Sequence, residues 1–237
     1  MNIEYADIFN DRGKLYHKAM KQAPNARDAE FKNLFAANAV GKNSVVVDVP
    51  AGGGYLKKFL PPGCRYHPLE ITHAFGVTDI PVVAWEDRWP IPPADDVICL
   101  AALHHYEDHE SAIARLLRAA KPGGVLHIAD VRENSSVSEF LDGFVGQYNG
   151  YGHDGNYFSN RKESLPFSNQ VIHISFKECP WRFANEAEMI TFSRMLFGLQ
   201  GVTDNDIKKA LSETVGFSSN ADHIELHWAL MYIEYLA

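Results

Sequence analysis

The stretch Val45-Val46-Val47-Asp48-Val49-Pro50-Ala51-Gly52-Gly53-Gly54-Tyr55-Leu56 decides how the rest of this 237-residue chain is read. A β-branched run is followed by an acid, a glycine cluster and a new apolar periodicity. That order predicts a buried parallel strand, a tight turn and a helix start. Glycine has no Cβ, so such a turn can bring backbone N–H groups close to a ligand. A dinucleotide fingerprint would place its glycines as GxGxxG and leave the helix N-terminus to a pyrophosphate. Here the glycines come late and Asp48 stands at the strand end. A carboxylate there repels a pyrophosphate and attracts a ligand that carries positive charge.

The segment VVVDVPAGGG resembles the first motif of class I S-adenosylmethionine (SAM)-dependent methyltransferases, a hydrophobic residue followed by Asp/Glu-x-Gly-x-Gly-x-Gly. Gly52 and Gly54 fall on two of its glycine positions, and Pro50 replaces the first. Proline offers no N–H and fixes φ near −65°, so the turn differs there. SAM has no phosphate but carries a sulfonium and an ammonium, which suits Asp48. Downstream, Arg65–Glu70 reads as a second strand ending in an acid about 20 residues past the turn. A carboxylate in that register takes the two ribose hydroxyls. Asp95–Ala101 resembles the family's strand four. There Ala101 is the residue whose carbonyl would accept from the cofactor ammonium. Lys121-Pro122-Gly123-Gly124, followed by Val125–Asp130, resembles the family's LKPGG turn into strand five. The segment Leu103-His104-His105 with the acids after it is similar to the group called methyltransferase type 11. The resemblance covers about residues 40–131.

It implies an α/β, Rossmann-like, doubly wound fold. The expectation is a seven-stranded, mostly parallel sheet with helices on both faces, one antiparallel strand near the C-terminus, an N-terminal helical cap and an inserted lid. We expect a single SAM-binding domain over residues 1–237, with the cap at 1–42 and the lid or substrate insertion at 136–170. Asp11–Met20 and Asp28–Val40 read as helices, the second closed by Gly41-Lys42-Asn43. Ile71–Ile80 is too short for a full crossover helix. Pro81–Trp85 is expected as strand three, Ser136–Tyr148 as a helix, and Val171–Lys177 and Ile224–Tyr235 as the late strands.

Composition bounds the partners. The net charge is −8, with 46% hydrophobic and 22% charged residues, which fits a globular domain and argues against nucleic acid or membrane surfaces. The first nine residues, with Glu4 and Asp7, do not read as a signal or transit peptide. Cys64, Cys99 and Cys179 are widely spaced and read as free thiols of a cytoplasmic protein. The oligomeric state is not legible.

The implied cofactor is SAM. Its expected contacts are Tyr16, Asp48, Ala51, Gly52, Gly54, Glu70 and Ala101, with Arg12 also a candidate for the methionine end. The family's adenine-reading acid aligns on Trp85, so Glu86 and Asp87 take that role by a shift of one or two places. Methyl transfer needs donor and nucleophile held in line and a base for the acceptor's proton. His104 and His105, just past strand four at the carboxyl edge of the sheet, are the catalytic candidates. Tyr106, Tyr151 and His153 are the substrate-binding candidates. His105 and His109 have the i, i+4 spacing of metal ligands, but no third ligand accompanies them and no metal is expected. Neither GxSxG nor a Walker motif is present. The expected function is methyl transfer to a small organic acceptor. The alternative is a SAM-binding protein of this fold without methyl transfer. An NAD-type oxidoreductase is disfavoured by Asp48.

Overall fold

The computed structural model describes residues 5–237; residues 1–4 of the expected cap at 1–42 lie outside the described residues. Helix α1 (Tyr5–Gln22) and helix α2 (Asp28–Leu34) precede strand β1 (Val45–Asp48). The glycine turn leads into a 3-10 helix, Tyr55–Phe59, then β2 (Arg65–Pro68). Strand β3 (Ala94–Leu100), helix α3 (His109–Leu117) and β4 (Ala120–Asp130) follow. Helix α4 (Ser136–Phe140) continues through a π turn, Leu141–Val145, into α5 (Gly146–Tyr148). Then come β5 (Val171–Glu178), β6 (Trp181–Phe183), α6 (Glu186–Phe197) and α7 (Asp204–Ala210). Strands β7 (Phe217–Ser219), β8 (Ile224–Leu226) and β9 (Ala229–Leu236) close the chain.

The main sheet has six strands in the order β2-β1-β3-β4-β9-β5. Strands β1 to β4 pair in parallel, and β9 runs antiparallel to both its neighbours. The side chains divide by parity between two cores. Val46 and Ile98 pack with α2, α4 and α6, whereas Val45, Val47, Val97 and Cys99 pack with α3. Both faces are thus buried under helices, which is why the strands read as continuous apolar runs rather than alternating ones. Helix α1 crosses from one core to the other. Its Ile8 and Phe9 belong to one core, and its Ala19 and Met20 to the other.

Four expectations are corrected. The seventh strand is missing among the described residues: Pro81–Trp85 contributes only a parallel bridge, Glu70 to Val82. The preceding crossover is reduced to one 3-10 turn, His73–Phe75, and gives the segment no helix to brace it. Helix α2 stops at Leu34 instead of Val40, because Asn38 donates its backbone N–H (3.3 Å) and its side-chain amide to Glu234 of β9. The late apolar run is two strands, not one. Trp228 N–H turns back onto the Leu226 carbonyl at 2.7 Å, so Ile224–Leu226 joins a small sheet, β6-β8-β7, while Ala229 onward enters the main sheet. Finally, Trp181–Phe183, for which no strand is expected from the sequence, pairs antiparallel with β8 in that small sheet. Among the described residues no helix is long and apolar enough to cross a membrane, and none of the three cysteines is paired.

Candidate functional site

The carboxyl ends of β1, β2 and β3 meet under α1. Asp48 is buried, and its Oδ2 accepts from the Tyr66 hydroxyl at 2.6 Å. Glu70 is buried beside it. Its Oε2 accepts from Gly52 N–H at 2.6 Å and its Oε1 from Ile71 N–H at 2.8 Å. Burial without a cationic partner raises the Asp48 carboxyl to about 7 and the Glu70 carboxyl to about 7. Glu70 is thus tied to the glycine turn, and Asp48 to Tyr66 of β2. Gly52 has φ +56° and Gly54 φ +74°, the left-handed region that favours glycine. The Val49–Pro50 peptide is cis.

Tyr16, Asp48, Ala51, Gly52 and Ala101 line one cavity with Phe9, Tyr55 and Phe75. It measures only about 40 Å³. The aromatic rings form a roof: Phe9 stacks on Phe75 at 5.3 Å, and Tyr16 meets Phe75 edge-on at 5.6 Å. Ala101 has φ +50°, an uncommon conformation for a residue with a Cβ, and such strain concentrates at ligand sites. Gly54 faces away from this cavity, toward Ile80. Glu86 and Asp87 are exposed on the loop after Val82 and do not line the cavity. Trp85 instead packs on Trp89 and Tyr106.

Ala101 also borders a second cavity of about 50 Å³, where Arg12, Arg27 and Tyr16 face His104, His105 and His153. Arg27 is locked by Glu30, which receives its Nε at 2.8 Å and the Trp181 indole N–H, and Arg27 donates in turn to the Tyr16 hydroxyl. Arg12 lies over the Phe9 ring at 4.4 Å, with its Nε buried and unpartnered. Burial lowers its guanidinium to about 10.

Beyond the histidines lies a third, solvent-reaching cavity of about 430 Å³, lined by His104, His105, Tyr106, Asp142, Tyr151, His153 and Asn156. His104 is buried and its Nδ1 lies 2.6 Å from Asp130 Oδ1. Asp130 Oδ2 accepts from the N–H groups of Ala102, Leu103 and His104. Burial would raise the Asp130 carboxyl, but His104 and the Val131 N–H hold it below its ordinary value. His105 meets Tyr5 and Phe9 edge-on. His109 stacks on Phe158 and its Nε2 contacts the Leu103 carbonyl, so the His105–His109 spacing brings no pair together. The loop after α5 is fastened over the cavity. Asn156 donates to the carbonyls of Tyr106 and Glu107, and Tyr151 donates to Asp11.

Sequence reasoning missed Asp130, Asp142 and Tyr66. Asp130 had a signal, since it ends β4 as Asp48 ends β1. Asp142 had none, because nothing along the chain ties a helix position to a loop eleven residues away.

The methyltransferase domain family matches residues 85–128. No curated protein matches the chain. Among solved structures, a chain in the complex of the Haloferax volcanii Trm112 methyltransferase activator with a putative methyltransferase is 17% identical, with 97% of this chain and 96% of that chain covered and a TM-score of 0.62. A Thermotoga maritima SAM-dependent methyltransferase, described as a possible histamine N-methyltransferase, is 12% identical at TM-score 0.58, with 98% of each chain covered. The Haemonchus contortus phosphoethanolamine N-methyltransferase 2, solved with phosphomonomethylethanolamine and S-adenosylhomocysteine, is 14% identical at TM-score 0.59; 99% of this chain and 60% of that one are covered. Residues 85–128 carry the methyltransferase-domain pattern, and the chain as a whole has the fold of class I SAM-dependent methyltransferases.

Proposed function

We propose that this chain is a SAM-dependent methyltransferase acting on a small organic acceptor. The observation that carries the reading is the pair of buried acids without a cationic partner at the edge of the sheet, Asp48 on the Tyr66 hydroxyl and Glu70 on the Gly52 N–H. This donor set fits a ligand that is cationic at one end and carries a diol. SAM supplies an activated methyl group. Asp48 attracts its charge, Glu70 receives the ribose hydroxyls, and Ala101, Tyr16 and Arg12 border the methionine end. The cavity of about 40 Å³ is much smaller than this ligand. Binding therefore requires the roof of Phe9, Tyr16, Tyr55 and Phe75 to move. His104 has Nδ1 engaged by Asp130, which leaves Nε2 as the nitrogen able to take an acceptor's proton. Tyr106, Tyr151 and His153 bound the acceptor space. We place the protein in the cytoplasm, with residues 1–42 as cap and 136–170 as lid of one domain, and with neither nucleic acid nor membrane as partner.

The roof also favours a second reading, in which SAM binds and no methyl is transferred. Calorimetry with SAM and S-adenosylhomocysteine, followed by assay of S-adenosylhomocysteine release with candidate acceptors, separates the two. Lack of binding to either nucleoside at millimolar concentration overturns both readings.

A further inference from the structure

The three histidines at the inner end of the large cavity are arranged more specifically than a proton acceptor requires. One ring nitrogen of His104, of His105 and of His153 lie within 4.8 Å of one another. Two of the rings are fixed from behind by carboxylates. His104 Nδ1 is 2.6 Å from Asp130, and His153 Nδ1 is 2.9 Å from Asp142. Each carboxylate is itself held: Asp130 by four backbone N–H groups, Asp142 by Gly155 N–H at 3.1 Å and the Tyr157 hydroxyl at 2.5 Å. An Nδ1–H donated to a carboxylate fixes the tautomer in which Nε2 carries the free lone pair. This is the outer arrangement that orients histidine ligands on a metal.

We propose that His104, His105 and His153 bind a divalent transition-metal ion of the zinc class, with Asp130 and Asp142 as positioning residues and a fourth coordination position open to the cavity. Three neutral imidazoles suit zinc, cobalt or nickel rather than magnesium or calcium. Tetrahedral coordination at Zn–N of about 2.0–2.1 Å places ligand nitrogens about 3.3 Å apart. Closing from at most 4.8 Å calls for a shift of no more than about 1.5 Å. His153 can supply it, because it stands in the loop after α5 while His104 and His105 are seated on the 3-10 turn that follows β3. The open position faces Tyr106, Tyr151 and Asn156. A hydroxyl or thiol bound there would lose its proton more readily, and the acceptor would be a molecule able to donate such an atom. Metal on His104 Nε2 excludes that nitrogen as a base, so the inference changes the role of His104. It does not depend on SAM binding.

The test is calorimetric titration of the full chain with Zn²⁺ in the absence of SAM, together with visible absorption of the Co²⁺ form. Wild type should bind one ion at micromolar or tighter affinity and give the intense d–d bands of a tetrahedral site. His153→Ala, a loop substitution, should lose at least 100-fold in affinity and the Co²⁺ bands, with an unchanged circular dichroism spectrum. Asp142→Asn should lose about 10- to 100-fold. His223→Ala, at a half-buried residue just before β8, should bind as wild type does. No binding by wild type at 100 µM Zn²⁺, or affinity unchanged in folded His153→Ala, overturns the proposal.

Discussion

Asp48→Asn should make the protein more stable and its SAM binding weaker, and the gain in stability should depend on pH. Asp48 is 4% exposed, and among the described residues its only side-chain hydrogen-bond partner is the neutral Tyr66 hydroxyl. Burial raises its carboxyl from 3.8 to about 7. A carboxyl raised on folding contributes its full stability below the unfolded value, and that contribution disappears as pH rises through the folded value. The shift is about 3 pH units, worth about 4 kcal/mol once the group is ionised, at 1.36 kcal/mol per unit. Asparagine has the same shape, keeps an oxygen for Tyr66 and never ionises. The stability difference between variant and wild type should therefore grow by roughly 1.4 kcal/mol per pH unit between about pH 4 and 7. Urea denaturation of both proteins at pH 5 and pH 7 measures it, with an expected divergence of about 2–3 kcal/mol between the two pH values. Glu70, raised partly by Asp48, should titrate lower in the variant. Calorimetry in two buffers of different ionisation enthalpy should show wild type releasing protons on binding SAM and the variant releasing fewer. Stability profiles that stay parallel from pH 5 to pH 7 would refute the reasoning.

Other outcomes follow from the same geometry. Gly52→Val should abolish SAM binding and lower stability, because the residue sits at φ +56° and a Cβ there meets Tyr55 at 3.2 Å and Phe75 at 3.5 Å; unchanged SAM affinity would make the turn structural only. Phe75→Ala should cost about 3–5 kcal/mol in chemical denaturation yet speed SAM association in stopped flow, since Phe75 is 3% exposed and closes the roof over Gly52. Glu30→Gln should destabilise by about 3–5 kcal/mol, because it leaves the buried Arg27 without its carboxylate and weakens the Trp181 contact. His127→Asn should cost more at pH 5.5 than at pH 8 in thermal denaturation. Burial pulls that imidazole down, but Asp96 and Glu234, each 3.2 Å away, raise it overall, so its contribution is present at low pH and lost as pH rises.

The chain's local patterns determined the sheet's central strands and their ends. Val45–Val47 and Val97–Leu100 are apolar and mostly β-branched because both faces are buried, and that property is written in consecutive residues. Asp48 and Glu70 could be placed because strand-end positions in a parallel sheet converge whatever the helices do. The clipped crossover at Ile71–Ile80 was legible from its length alone. Long-range pairing was not. Asn38 leaves its helix because Glu234, 196 residues away, takes its amide. Ile224–Tyr235 divides because a turn at Trp228 sends its halves to different sheets, although both halves carry strand-like patterns. The segment Pro81–Trp85 has strand composition but lacks a braced neighbour. Glu86 and Asp87, offered by alignment, remain in solvent. His104 and His105 were visible as an adjacent pair at a sheet edge. Only the tertiary structure placed His153 against them and set Asp130 and Asp142 behind the rings, because that contact needs a loop folded back across the sheet and fastened by Asn156 to Tyr106 and Glu107. Sequence records what each segment is able to do. Which segments meet is decided by burying two faces of one sheet at once.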